Sequence, residues 1–450
     1  MSVYNYITLG AAKQQLANRL YDSNMTFWAP AELTLYIQES LRTWNALTAY
    51  WRGDFLFQSQ QGVNWYNLID TINLPNTLRP LTVLDTDIYK LLQYHLLEPT
   101  TWNPYVGGSL QFSADDFLEA VQRRRDEILS VCACTMTLRT VPAVAGRIQL
   151  PDTVIDVRRM AYLPNPVFGQ PNSAMWPEDA WAEQSFNRNY TLAPAGTPFT
   201  YLMSTQPPIS FDTDVPPAYG GNYELLTIET GLALAVNASS FLSVPDDWTP
   251  LIKWGALADL LSRESNAKDL PRAAYCEQQY RMGLAALSAA PALLALRINN
   301  VPVLIDSVRN ADLYTTGWET TTQGKPTAAL HAGLNMIALA PAPDAGPYSL
   351  TATVVENAPV PVADGDFVQV ARDDLDAILD YAQHLAAFKQ GGEEFTRSMQ
   401  LLQRFMKQAA MYNGKLLEIA EFNSMLLGIS QMERGTNPTM TPSAEQEVTS

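Results

Sequence analysis

Three histidines and three cysteines are the whole stock of imidazole and thiol ligands in this 450-residue chain. His95 and His384 fall in helical stretches and His331 beside a strand-like one, with Glu98 one turn from His95 and Asp380 one turn from His384. Two possible ligands do not complete a metal site, and an isolated helical histidine reads as packed or solvated. Cys132-Ala133-Cys134 lacks C-x-x-C spacing and places its thiols on opposite sides of a helix, so the two read as small buried residues. The run from Gly317 to Lys325 imitates a phosphate loop, but it has six residues between its glycines and Pro326 where a hydroxyl is needed. Neither G-x-S-x-G nor G-x-G-x-x-G occurs. The expectation is therefore no catalytic residue, no cofactor and no metal.

Carboxylates and guanidiniums offer more. Asp85-x-Asp87, Asp212-x-Asp214 and Asp364-x-Asp366 could hold a hard cation, although turns favour aspartate in any case. Aspartate pairs beginning at Asp115, Asp246 and Asp373 each precede an apolar helical pattern, where a helix dipole favours negative charge. Arg123-Arg124-Arg125 is the one dense basic cluster, and Asp126 and Glu127 follow it directly. It reads as a salt-bridged helix surface, with contact to an acidic partner or to passing DNA as the sharper alternative. Arg158-Arg159 beside Asp156 reads similarly. Trp28, Trp44, Trp51, Trp65, Trp102, Trp176 and Trp181 crowd the first part of the chain. Most belong to a core, but loop pairs such as Trp65-Tyr66 fit packing between subunits, where large aromatics concentrate.

Positioning these side chains takes more than one core, because the chain is long and 47% hydrophobic. Its formal charge of −17 disfavours general affinity for a nucleic-acid backbone. No apolar run is long enough to span a bilayer, so no membrane partner is expected. MSVYNYITLG has neither a basic n-region nor an apolar h-region, which implies folding in a reducing cytoplasm.

Apolar spacing predicts helices at Leu9–Tyr21 (capped by Thr8), from Leu33 to about Thr48, at Pro80–Leu97, and from Ser113 to about Thr135. Phe55–Phe57 and Val63–Leu68, separated by QSQQG, read as a projecting β-hairpin. β texture occupies 137–243, with a short helix at Pro177–Phe186, and returns at 291–370. Helical hairpins are expected at Val244–Leu287 and Ala371–Tyr412, each opened by an aspartate pair. Val154-Ile155-Asp156-Val157-Arg158 is echoed by Leu304-Ile305-Asp306-Ser307-Val308-Arg309, and the Pro/Gly turn from Pro216 by that from Pro341. The fold class is thus α+β, with helical hairpin or bundle modules and two inserted sandwich-like β units, internally duplicated. Its segments are 1–136, 137–243, 244–290, 291–370, 371–425 and a polar tail, 426–450.

The order of the Leu9–Tyr21 helix, Phe27-Trp28-Ala29-Pro30-Ala31-Glu32-Leu33, the helix ending Trp44-Asn45-Ala46-Leu47-Thr48, the β insertion and Leu251–Leu261 resembles the neck or adaptor (head–tail connector) proteins of tailed bacteriophages. The resemblance covers roughly residues 8–290 and rests on pattern and order. It implies a homo-oligomeric ring, usually of twelve copies, placed between the portal protein and the tail tube, nozzle or tail-fibre proteins. Double-stranded DNA would pass through without specific binding. It also implies a virion neck or tail location after assembly in the host bacterial cytoplasm. Such proteins dock a C-terminal tail on the portal, which here points to Gly435, Asn437, Pro438, Met440, Pro442 and Glu445. Arg123, Arg124, Arg125, Trp65 and Tyr66 are the candidate contacts to neighbouring subunits. A baseplate or fibre-attachment protein is the alternative. An enzyme of cell-wall glycans, using two carboxylates in an aromatic-walled cleft, is a third reading.

Overall fold

The computed structural model describes the chain except for residues 1–5, 69–80, 99–110, 169, 171, 187–188, 205–208, 232–233, 235–239, 266–267, 292, 315–317, 320–322 and 434–450. It is α+β, with one large helical core carrying two β units.

After β1 (Ile7–Thr8), the Thr8 hydroxyl accepts from Ala11 N at 3.3 Å and opens α1 (Leu9–Arg19). Pro30 at the first turn suits α2 (Pro30–Thr48), which ends on Ala49 in the left-handed region. β2 (Arg52–Gln58) and β3 (Trp65–Asn67) follow, then α3 (Asp85–His95). Ser113 and Asp116 form a reciprocal capping box: Asp116 N donates to Ser113 Oγ at 3.2 Å, and Ser113 N to Asp116 Oδ2 at 2.8 Å. This starts α4 (Ala114–Cys132), where the sequence predicts it.

The first β unit contains β4 (Thr137–Pro142), β5 (Ile148–Gln149), β6 (Val154–Leu163), β7 (Ser173–Glu178), α5 (Ala180–Phe186), β8 (Thr200–Met203), β9 (Ser210–Thr213) and β10 (Asn222–Glu229). They form one seven-stranded sheet ordered β4-β10-β6-β7-β8-β9-β5, antiparallel except between β7 and β8. One face buries Met160, Tyr162, Met175, Tyr201, Phe211 and Tyr223. The short helix is thus shorter than expected, because Pro177 continues β7 and pairs with Tyr201. Gly221 is required where β10 begins: its φ is +90°, and a Cβ there would lie 2.1 Å from the Leu163 carbonyl oxygen.

α6 (Pro250–Ser262) is the centre of the molecule. Every residue from Pro250 to Leu261 is buried, so this helix is apolar nearly all round rather than amphipathic. It packs against α7 (Leu270–Ser288) and against α2, α3 and α4. The chain then forms β11 (Ala295–Ile298), β12 (Val301–Pro302), β13 (Leu304–Ser307), α8 (Val308–Tyr314), β14 (Ala328–Ala332), β15 (Met336–Ala340), β16 (Ser349–Val355) and β17 (Phe367–Val368). It ends in α9 (Arg372–Gln390), α10 (Gly392–Tyr412) and α11 (Ala420–Glu433). β17 pairs with β1, tying the N-terminal strand to the segment just before α9.

Two expectations require correction. β2 and β3 do not pair with each other. β2 completes the sheet β12-β11-β16-β2, and β3 completes β13-β14-β15-β3. Phe57 from one and Tyr66 from the other then meet across a shared core with Leu296, Ile337, Leu339 and Leu350. A lone two-stranded hairpin is marginal in water, whereas two four-stranded sheets face to face bury both inner surfaces. The helical segments 1–136, 244–290 and 371–425 also share one hydrophobic core, running from Leu9 through Trp44, Phe117 and Trp254 to Phe405 and Phe422. A helix buried all round, as α6 is, needs neighbours from every part of the chain.

Candidate interaction surface

The candidate contact residues fall on three elements. In α4, Arg124 points inward: Nε and Nη2 reach Asp259 of α6 at 2.9 and 2.6 Å, and Nη2 also reaches Glu277 of α7 at 3.0 Å. Its guanidinium carbon lies 4.7 Å from the centre of the Tyr280 ring. Arg125 is fully buried and paired with Asp126 at 2.8 Å. Arg123 also pairs with Asp259 but remains largely exposed. The basic run is therefore an internal tie between α4, α6 and α7, with Arg123 alone facing outward. Neither Arg124, drawn inward by Asp259 and Glu277, nor the buried Arg125 is available to a partner.

Trp65 and Tyr66 are likewise buried, so neither can touch another subunit. Tyr66 sits in the sandwich core and its hydroxyl accepts from Gln60 N at 3.0 Å. Trp65 Nε1 donates to Glu224 at 3.0 Å, and its ring meets Trp318 edge-on at 6.0 Å.

Those two indoles flank a buried charge cluster. Arg159, on β6, donates to both oxygens of Asp312 on α8 at 2.7 and 3.1 Å, and its Nη1 lies 3.4 Å from Glu224 on β10. Glu319 Oε1 lies 2.7 Å from Nη2 as a charge contact, without hydrogen-bond alignment. Three carboxylates thus surround one guanidinium, 8% exposed, at the junction of the two β units. Burial is the largest influence on Glu319 and raises its carboxyl to about 7, with Arg159 opposing and Glu224 and Asp312 adding to the rise. Glu224 is also raised by burial, against the pull of Arg159. This is the nearest approach to carboxylates converging between aromatic walls. The guanidinium occupies their centre, and Asp312 also accepts from Trp318 Nε1 at 2.8 Å.

A second set of buried polar groups crosses the helical core. Lys253 donates to Glu39 at 2.5 Å, with both side chains essentially sealed from water. Burial raises the Glu39 carboxyl and lowers the Lys253 amine, so desolvation outweighs their mutual attraction in each. His95 stacks between Tyr36 and Trp254 at 5.3 and 6.3 Å, and burial pushes its imidazole well below the ordinary range. His384 makes contacts of 2.6 Å to the Tyr275 hydroxyl and 2.9 Å to Ser398 Oγ, and burial takes it down to about 3. Both rings are packed, as expected.

The aspartates mostly hold backbone. Asp246 and Asp247 precede α6 in a 3-10 turn and are themselves buried, so they do more than cap. Asp246 accepts from Thr82 N at 2.8 Å, while Asp247 accepts from Asn45 Nδ2 at 2.6 Å and Ala358 N at 3.1 Å. Burial raises Asp247 to about 7. Asp374 accepts from the Tyr412 hydroxyl at 2.9 Å, tying α9 to α10. Asp87, Asp214 and Asp366 accept from backbone amides, while Asp212 pairs with Arg147. No group of three His, Cys, Asp or Glu suited to a metal occurs among the described residues. Cys132, Cys134 and Cys276 are free thiols. No described helix is long and apolar enough to cross a membrane.

Exposed large apolar side chains occur over the whole molecule, on the helical part (Tyr21, Met411) as well as on both β units. On the first, Val167 is 86% and Phe168 54% exposed in the β6–β7 connection, and Trp176 and Phe199 stand out beside them. Trp181 on α5 is 82% exposed. On the second, Val301 and Leu304 face solvent. Of these tryptophans, Trp176 and Trp181 are exposed and Trp65 is buried. Gly435, Asn437, Pro438, Met440, Pro442 and Glu445 lie outside the described residues, as do Trp102 and Tyr105.

Comparison of the chain with protein-family models and with curated proteins gives no match.

Proposed function

We propose that this chain is a virion structural protein: a ring-forming head–tail adaptor that links a portal to a tail and lines the channel for genome exit. The observation that carries the reading is the set of large apolar side chains left exposed on both β units, Phe168, Trp176, Trp181 and Phe199 on the first and Leu56, Val301 and Leu304 on the second. Large apolar side chains left in water on both modules suit a protein that binds neighbours through them. The sequence resemblance supports the same reading. So does the charge pattern: the formal −17 is accompanied by a basic run that turns inward onto Asp259 and Glu277, so DNA can slide past without being held. The chain acts by assembly rather than by catalysis, in the neck or tail of the particle, with residues 435–450 as the portal-docking tail.

We also propose that the β-plus-helix unit is duplicated. In each half a β unit leads through an aspartate pair into two helices packed on each other, α6 with α7 and α9 with α10. The sheets have diverged, since the second unit recruits β2 and β3 from the N-terminal region.

Purified chain mixed with its portal should give rings by negative-stain microscopy. A persistent monomer that does not bind portal would overturn the adaptor. The exposed Trp181 and Phe168 also suit a baseplate or fibre-attachment protein. Twelve copies at the neck, against three or six at the tail tip, separate the two.

A further inference from the structure

We infer that the Arg159 cluster is a proton-operated latch between the two β units. It is closed while Glu319 and Glu224 hold a proton between them, and it releases when that proton leaves. The latch does not depend on ring formation.

Its parts come from both units. Arg159 and Glu224 belong to β6 and β10 of the first sheet. Asp312 lies on α8 of the second unit, with Trp318 and Glu319 shortly after it, and Trp65 comes from β3, which completes a sheet of that unit. The apolar contacts around them form a cluster of their own, Leu226 of β10 with Val308, Ala311, Trp318, Leu330 and Ala338. Each unit keeps a separate core behind this seam, around Tyr162 and Tyr223 in the first and Phe57 and Ile337 in the second. The seam can therefore part while both cores stay packed, as in a sub-global opening.

A second tie marks the hinge. Met136, one residue before β4, donates its N–H to Asn335 Oδ1 at 2.8 Å, and its carbonyl accepts from Asn335 Nδ2 at 2.8 Å. Leu334 N donates to Cys134 O at 3.0 Å. These bonds join neutral groups and do not respond to pH. The charge cluster sits farther along the strands, since Glu224 pairs with Thr140 and Thr137 is where β4 begins.

With every acid ionised, one guanidinium would face three carboxylates, a net of −2 in a site nearly closed to water. Glu319 Oε1 is buried without a hydrogen-bond partner among the described residues. The carboxyls of Glu319 and Glu224 are close enough to share a hydrogen bond, which needs a proton on one of them. The other titratable group nearby is the Tyr201 hydroxyl of β8, which burial raises to about 12, so it stays neutral in mild alkali. Opening admits water and returns the acids to the ordinary carboxylate range. The closed form thus holds its proton more tightly, and rising pH favours opening. A Glu319 carboxyl at about 7 against an ordinary 4.5 allows the opening constant to rise by about 300-fold in all, most of it between about pH 5 and pH 8.

Native-state thiol labelling of the full-length protein, read peptide by peptide by mass spectrometry, tests the latch. Ala311→Cys sets a thiol inside the seam, while Cys276, sealed in the helical core, reports global unfolding of the same molecule. At about pH 8 the introduced thiol should label at least about ten-fold faster than Cys276. Adding Glu319→Gln should slow it by about a hundred-fold, and the two backgrounds should converge near pH 5. Glu224→Gln removes the same excess charge and should slow it too, so the outcome does not hang on one variant. Labelling of the introduced thiol at the rate of Cys276 in every background would mean that the seam opens only with the whole fold. That result would overturn the latch and leave the alkaline destabilisation by Glu319 standing. Faster labelling that neither glutamine changes at pH 8 would overturn it as well, because the seam would then open without regard to the proton.

Discussion

Replacing Glu319 with glutamine should make the protein more stable in mild alkali and leave it unchanged in acid. The carboxyl is 8% exposed and sits against Arg159 with Glu224 and Asp312 competing for the same guanidinium. Its value in the fold is about 7, against 4.5 for an ordinary glutamate. A carboxyl whose folded value is raised stabilises the fold fully only below its unfolded value, and that stability is lost as pH rises through the folded one. Ionising Glu319 in place therefore costs about 3 kcal/mol, and the cost is complete only above about pH 7. Glutamine resembles the protonated acid in shape and carries no charge. Denaturant unfolding of wild type and Glu319→Gln should coincide near pH 4–5 and separate by about 3 kcal/mol near pH 8, with the variant the more stable. Asp247, also raised to about 7, adds the same slope to both proteins and cancels in the difference. A variant equally stable with wild type at both pH values, or less stable in alkali, would refute the view that this cluster holds more negative charge than Arg159 can neutralise.

Other expectations follow from the same geometry. Lys253→Met leaves Glu39 buried without its partner and should cost about 3–5 kcal/mol, while Lys253→Met with Glu39→Leu should recover most of it; thermal unfolding of both decides. Arg124→Ala removes the tie from α4 to Asp259 and Glu277 and should cost roughly 2–4 kcal/mol, whereas Arg123→Ala should cost under about 1 kcal/mol; equal effects would contradict the inward orientation of Arg124. Gly221→Ala faces both a left-handed φ and the Leu163 carbonyl, so it should destabilise the first β unit by roughly 2–4 kcal/mol, read by hydrogen exchange across β6 and β10. Deleting residues 435–450 should weaken portal binding with unfolding unchanged; equal binding by the shortened chain would remove the docking tail.

Local signals carried much of this fold in the sequence. The Thr8 cap, the Ser113 capping box and the apolar stripes of α2 and α9 each lie within a few residues, and helices form where they predict. Strand partners are not local. Phe55–Phe57 reads as a strand, but nothing in it names β16, nearly three hundred residues later, so the nearest strand is the expected mate. The charge clusters were illegible for the same reason. Arg124 stands next to Glu127 in sequence, yet Asp259 is 135 residues away and Glu277 153. Aromatic composition does not say which rings are exposed. Trp65 and Trp181 look alike in sequence, and only the closing of β3 onto β15 buries the first.

The central claim is that this chain works as a ring between head and tail, and electron cryo-microscopy of the mature particle tests it most directly. The expected result is a closed ring of copies, twelve by family resemblance, under the portal. Density for this chain at the tail tip in three or six copies, or a particle that lacks it, would contradict the account.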